Sequence, residues 1–334
     1  MLKIKKYIVL SGITLLLFFI SAYIITDGLK KNNIPKNKVT VACHRGESAA
    51  LIYIAKQAGL FRKNGIEVTI KDYQAGKFAT DSLIADNADI ATASGSTLVS
   101  NSFRHRDLKV LTVISEGVTR KIAAREDHGI KEPADLADKT IALIKGSADE
   151  YYLKHFLSLY NLKFSDVKII DLKPDQIISE FITGKVDAAI IRDSTASQKE
   201  NEITDKGVVW DLQPYKPFYF LLITKTKWVN DHPRCASDFI KALLQAERII
   251  AKDSKRLQRF FEKDLNYQGD YLKNSLEQNS YYVYLPQALL LEFENQAFWR
   301  INKSTKEKRI PNYLDFIYPY ALEVADPQRV NLIR

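Results

Sequence analysis

A weak internal echo runs through this chain: LIADNADIATASGS at 83–96 lines up without a gap against FITGKVDAAIIRDS at 181–194. In both, a helical pattern ends, an aspartate (Asp89, Asp187) precedes a short apolar strand, and a serine (Ser96, Ser194) opens the next helix. A unit of this kind, used twice, restricts the chain to alternating strands and helices in two related halves.

The rest of the pattern agrees. Strands are expected at 39–43, 66–71, 89–93 and 108–114, with helices at 48–58, 76–86 and from Ser96 onward. The layout returns with strands at 140–144, 167–171, 187–191 and 208–210 and helices at 148–159 and 174–183. Such alternation predicts mostly parallel sheets. After a strand at 218–224 the chain turns helical and aromatic, at 236–252, 254–263, 271–280 and 287–298. That tail has too few strands for a third sheet and is expected to pack on the first half. The chain would then cross between halves near 117–120 and again near 213–218, and two crossings make a hinge. The predicted organisation is a targeting segment at 1–30, a linker at 31–38, lobe I at 39–117 plus 219–334, and lobe II at 118–218.

The targeting segment is Lys3, Lys5 and Lys6 followed by residues 7–25, which hold no charge. Nineteen uncharged residues lie at the lower edge of a membrane span and exceed a usual signal-peptide core. It therefore reads as a signal peptide or an uncleaved anchor, with the N-terminus cytoplasmic and the body outside. Lipid attachment is not expected, because Cys43 lies well downstream in a strand.

Charge argues against nucleic acid. The formal net charge is +9, but residues 1–38 hold seven lysines and one acid, and the remaining 42 basic and 39 acidic residues nearly balance. Cys43 and Cys235 are the only cysteines and are expected as two buried thiols, with one long-range disulfide as the alternative in an oxidising compartment. They form no metal motif, and neither a metal nor a cofactor is expected. No G-x-S-x-G, P-loop, G-x-G-x-x-G or H-E-x-x-H motif is present, so an enzyme is not expected. Cys43 beside His44 is no nucleophile and base, since neighbouring strand residues face opposite ways.

Ligands of open α/β sheets sit beyond the carboxyl ends of the strands. The strand assignments therefore select the loops carrying His44, Arg45 and Glu47; Gln74 and Gly76; Ser94 and Ser96; Glu116; Gly146 and Ser147; and Arg192 and Asp193. Taken singly, each loop is ordinary turn and cap chemistry. Ser147 to Glu150, for example, fits a capping box in which Glu150 reaches back to the Ser147 backbone. Arg45, directly after a buried strand, needs either a ligand or a partner such as Glu47 or Glu116.

Three stretches resemble the nitrate/sulfonate/taurine-type substrate-binding family of ABC importers, which shares its fold with thiamine-pyrimidine binding proteins. They are AKQAGLFRKNGIEV from Ala55, GIKEPADLADKTIALIKGS from Gly129 and TGKVDAAII from Thr183, with a weaker fourth, VADPQRVNL, near the C-terminus. The resemblance implies the type 2 periplasmic-binding-protein fold: two α/β lobes on a two-strand hinge. It also implies an extracytoplasmic, monomeric solute-binding protein that serves an ABC permease and ATPase and closes on a small organic or oxyanion solute of sulfonate, nitrate or aminopyrimidine type. The departures are Arg192-Asp193-Ser194, where the family often continues into an aromatic-acidic-proline stretch, and Asp138, where glycine is usual. Asp149 and Glu150 at a helix start would oppose an anion, whereas Arg45 and Arg192 would favour one. The competing readings are a membrane-tethered sensory or accessory module with the same cleft and a thiamine-pyrimidine-related enzyme.

Overall fold

A computed structural model describes residues 37–118, 120–192, 199–212, 218–303 and 309–333. The N-terminal segment, most of the linker, Asp193, Ser194 and most of the second crossing lie outside the described residues. Among the described residues no helix is long and apolar enough to cross a membrane.

The strands in chain order are β1 (Asn37–His44), β2 (Ile66–Tyr73), β3 (Ile90–Ser94), β4 (Leu108–Gly117), β5 (Arg120–Arg125), β6 (Thr140–Leu143), β7 (Lys168–Asp171), β8 (Ala188–Arg192), β9 (Gly207–Asp211), β10 (Phe218–Lys225), β11 (Asn279–Ser280), β12 (Leu285–Pro286) and β13 (Val330–Asn331). Two larger sheets result, ordered β11-β4-β10-β3-β1-β2 and β7-β6-β8-β5-β9. Helices connect the parallel strands. They begin where the sequence supplies a cap or a first-turn proline: Ser94 accepts the Thr97 N–H at 3.0 Å ahead of Gly95–Ser102, Ser147 precedes Ala148–Leu159, and Pro174 and Pro233 open Pro174–Ile182 and Pro233–Lys252.

The sheets are mixed, not mostly parallel. The pairs β1–β2, β1–β3, β6–β7 and β6–β8 are parallel, but β10 runs antiparallel to β3 and β4, and β5 antiparallel to β8 and β9. The crossings are the cause. The chain leaves the first sheet along β4 and enters the second along β5, then leaves along β9 and returns along β10, so each outgoing strand lies against a returning one. Strand β5 was not anticipated from the sequence; its segment RKIAAR is charged at both ends and offers only a short apolar centre.

The internal repeat appears as matched hydrogen bonds. The Asp89 carboxylate accepts the Thr40 N–H at 2.8 Å, and the Asp187 carboxylate accepts the Thr140 N–H at 2.7 Å. Each aspartate N–H in turn donates to the same threonine's carbonyl, at 2.9 and 3.1 Å. Both clamps hold the start of one central strand against the next, with Val41 opposite Ile90 in one sheet and Ile141 opposite Ala188 in the other. A side-chain acceptor there satisfies a strand-edge N–H that the parallel ladder leaves over.

The helical tail packs against the helices of the first half, with Phe239 on Phe61 of helix Leu60–Lys63 and Phe260 on Tyr53 of helix Ala50–Gln57. It also reaches the second half. Trp299, on helix Ala288–Lys303, meets Tyr151 at 5.9 Å and Phe164 at 6.3 Å, and Lys154 lies over its ring. At the first crossing, Asn279 presses so closely on Gly117 that a β-carbon there would fall on its Oδ1.

Candidate functional site

The carboxyl ends of β1, β3 and β8 and the helix starts beside them converge on one enclosed cavity. Its lining includes His44, Glu47, Gly76, Ser94, Ser147 and Arg192 from the expected set, together with Ser48, Lys77, Thr97, Arg120, Phe218 and Phe220. The enclosed free volume is about 20 Å³, room for about one water molecule. Anything larger enters only if the two sheets part.

Its wall on the second sheet is an ion triad. Arg120 and Arg192 are register partners on β5 and β8. Arg120 Nε donates to Asp149 Oδ1 at 3.0 Å, and Arg192 donates to Asp149 Oδ2 at 2.6 Å. The Ile144 N–H donates to the same carboxylate at 3.2 Å. All three charged side chains are buried. Burial alone would raise the Asp149 carboxyl, but the Arg192 and Arg120 guanidiniums outweigh it and hold it below the usual carboxylate range. Asp149 is therefore no obstacle at a helix start; it is the counter-ion that lets two arginines sit at a buried wall. Arg120 also lies 4.3 Å from the centroid of the Phe218 ring, a cation–π contact.

The wall on the first sheet is acidic. Glu47 follows β1 in a short 3-10 turn and is buried, with its carboxylate accepting the Tyr267 hydroxyl at 2.6 Å and its carbonyl accepting the Tyr281 hydroxyl at 3.1 Å. Burial raises the Glu47 carboxyl above its ordinary range, and Tyr267, Arg120 and Arg192 offset this only in part. His44 packs edge-on against Phe220, its rings 5.8 Å apart. Burial, then the charges of Arg192 and Arg120, lower His44 to about 3, so it is neutral at physiological pH. Gly46 is required by this ring: a β-carbon there would stand 2.6 Å from His44 Cε1.

The other expected site residues fall elsewhere. Arg45 and Gln74 line a larger outer cleft of about 590 Å³, with Tyr73 on one side and Pro174, Ile178 and Ile182 on the other. Arg45 is half-exposed there and pairs with Asp72 at 3.0 Å, not with Glu47 or Glu116. Glu116 lines a separate cavity of about 340 Å³ with Tyr282, Tyr284 and Arg329, and burial raises its carboxyl. Ser96 is buried inside its helix, which begins one residue earlier than expected, and is not part of the cavity lining. Gly146 donates its N–H to Glu150 at 2.9 Å, while the Ser147 hydroxyl accepts the Asp149 N–H at 3.2 Å and donates to the Ile144 carbonyl at 2.7 Å. The capping arrangement is therefore shifted: Glu150 reaches one residue further back than Ser147. Asp193 lies outside the described residues.

Cys43 and Cys235 are both free and buried, and burial pushes each thiol up to about 12. Cys43 is absent from the cavity lining while His44 is part of it, as strand alternation requires. Among the described residues no group of three or more His, Cys, Asp or Glu is placed to hold a metal ion.

Arg120, Asp149 and Tyr267 were missed by sequence reasoning as site residues. For Arg120 a signal existed: a charge at the mouth of a crossing, directly before the apolar residues of RKIAAR.

Known proteins share this architecture. A Bacillus subtilis protein described as binding aliphatic sulfonates is 30% identical over 209 residues, 60% of this chain and 62% of its own length. The chain thus matches less than two thirds of that relative. The taurine-binding periplasmic protein of Escherichia coli is 24% identical over 215 residues, 63% of this chain and 65% of its own. Among solved structures, the alkanesulfonate-binding protein of Xanthomonas axonopodis pv. citri, bound to MOPS, superposes with a TM-score of 0.71 at 16% identity, covering 84% of this chain and 98% of that one. The last likeness establishes the periplasmic-binding-protein fold. A family model described as NMT1/THI5 like matches residues 47–256, from the Glu47 turn through both sheets into helix Ser254–Asp264, and the chain belongs to that family.

Proposed function

We propose that this chain is the extracytoplasmic solute-binding component of an ABC importer, which captures a small solute bearing an acidic group between two hinged lobes and passes it on unchanged. The observation that carries the reading is the buried Arg120–Asp149–Arg192 wall, which faces hydroxyls and aromatic rings of the other sheet across a cavity that must open to be filled. Buried guanidiniums are the donors best matched to an acidic group, and the sulfonate and taurine ligands of the relatives are acids of that kind. Lobe I is assigned to 39–117 with 219–334 and lobe II to 118–218, residues 7–25 are the export signal or anchor, and a permease and ATPase are the partners. Capture without conversion fits the chemistry of the cavity. His44 is held neutral, the Cys43 thiol is buried and protonated, and the arginines are engaged on Asp149.

The test is thermal unfolding of the full-length protein against nitrate, alkanesulfonates, aminosulfonates, aminopyrimidines and amino acids. A solute present at about 100 times its dissociation constant adds roughly 2.7 kcal/mol of stability and raises the midpoint by a few degrees. A shift confined to acids supports the reading; a shift with none, or with uncharged bases only, overturns it.

A further inference from the structure

The two strands that cross between the sheets, β4 and β10, present different chemistry on their two faces. Ser115 donates its hydroxyl to the Ser48 carbonyl at 2.7 Å, on the side of the enclosed cavity, whose lining includes Ser48, Phe218 and Phe220. Glu116 and its register partner Tyr219 therefore point to the opposite face of the first sheet. There Ser280 of β11 flanks Glu116 on its other side. The segment that follows alternates in the same way. Tyr281, Val283 and Leu285 are buried, while Tyr282 and Tyr284 turn outward with their rings 6.5 Å apart, edge to face. With Glu116 these two rings line the cavity of about 340 Å³, which Gln328, Arg329 and Asn331 complete from the C-terminal end.

The two charges of this cavity are not equivalent. Arg329 is engaged: it donates to Glu247 at 2.8 Å and lies 3.7 Å from Asp326, and Glu247 is in turn fixed by the Val283 N–H at 2.8 Å. Glu116 has no such partner among the described residues; burial raises its carboxyl, and no cation or donor beside it lowers it. A half-buried carboxylate between tyrosine rings is an environment that an organic cation completes. The carboxylate meets the charge, a ring face adds cation–π attraction, and the side-chain oxygens of Ser280, Gln328 and Asn331 accept further N–H groups. An anion would be opposed there by Glu116. We propose that this cavity is a second ligand site, on the face of the first sheet away from the enclosed cavity, for a small organic cation with N–H donors, an alkylammonium or a guanidinium, with Glu116 as its counter-ion. Every residue of the site belongs to the first sheet or to the tail packed beside it. It is therefore formed whether or not the two sheets part, and it does not rest on the solute-binding reading.

The experiment is calorimetric titration of the full-length protein with butylammonium, butylguanidinium, 1-butanol and butanoate, with amide NMR shifts followed in the same titrations. At least one of the two cations is expected to bind about tenfold or more tightly than 1-butanol, the order expected for one charge-assisted hydrogen bond, with butanoate weaker still. That cation should move the amides of Glu116, Ser280 and Asn331. In a cooperatively melting Glu116→Gln the preference for cation over alcohol falls to about twofold or less. Tyr282→Ala, at a ring that is 52% exposed, weakens the cation about threefold or more and leaves the fold intact. Binding of neither cation, equal affinity for cation and alcohol, or a preference that survives Glu116→Gln overturns the proposal. So do shifts confined to Gly76 and Ser94, which would put the cation in the enclosed cavity. The wild-type affinities and shifts decide the matter even where a variant does not fold.

Discussion

Arg192 and Asp149 meet at 2.6 Å with almost no solvent on either side chain. Their ion pair is formed wholly within the second sheet and the helix packed on it, so parting the two sheets would not separate its partners. On the proposed solute-binding reading, the charge that meets the solute is therefore preorganised and does not have to be assembled at each binding event.

Replacing Asp149 by Asn strands two buried guanidiniums without their counter-ion. The expected cost is about 3–5 kcal/mol of unfolding free energy, the range for breaking one side of a buried pair, read from urea titration at neutral pH. A loss under about 1 kcal/mol would mean that the triad is solvated in solution.

Acid should unfold the protein partly through His44. Its folded pKa, about 3, lies below the unfolded value of 6.5. The unfolded chain therefore takes up a proton that the folded one refuses, and stability falls as pH drops below the unfolded value. On the order of 4 kcal/mol is at stake by pH 3. Asp149, also depressed, adds to the loss below the ordinary carboxylate range. His44→Gln should flatten the limb between roughly pH 6.5 and 4, where Asp149 does not yet titrate; thermal midpoints across that interval measure it. An unchanged slope would show His44 to be accessible to protons in the folded state.

Gly117→Ala places a methyl group on Asn279 Oδ1 at the first crossing. The expected loss is about 1–3 kcal/mol, and Asn279→Ala in the same chain should restore most of it. A double-mutant cycle with no coupling would show that the close approach is not kept in solution.

If the halves close on a solute as proposed, Trp299 should report it, since it alone of the three tryptophans packs from the tail against Tyr151 and Phe164 of the second half. A solute that opens and re-closes the cleft should change the emission of the wild type, and Trp299→Phe should abolish most of that change. A signal of the same size in the variant would assign it to Trp210 or Trp228.

The sequence showed the elements whose signals are local. Ser147 and the apolar period after it placed helix Ala148–Leu159 at both ends, and strand ends selected the loops that deliver His44, Glu47, Ser94, Ser147 and Arg192 to one cavity. What it hid depends on contacts distant in sequence. The partner of Arg45 is Asp72 on the neighbouring strand, Asp149 gains its role only once β5 and β8 pair, and Tyr267 reaches Glu47 from far down the chain. Strand β5 escaped because its neighbours, rather than its own composition, bury it. Glu150 caps a residue earlier than the motif predicts, at the Gly146 N–H.

The twin aspartate clamps bear on the order in which this chain acquires structure. Asp89 closes on Thr40 and Asp187 on Thr140 over nearly equal stretches, 49 and 47 residues. By contrast, β10 must find β4 roughly a hundred residues away, after the whole second sheet has been threaded through. Each half can therefore assemble around its own clamp before the return strand docks, and amides of β1 and β6 should gain hydrogen-exchange protection in refolding earlier than those of β10. Simultaneous protection of all three would make the two halves a single kinetic unit.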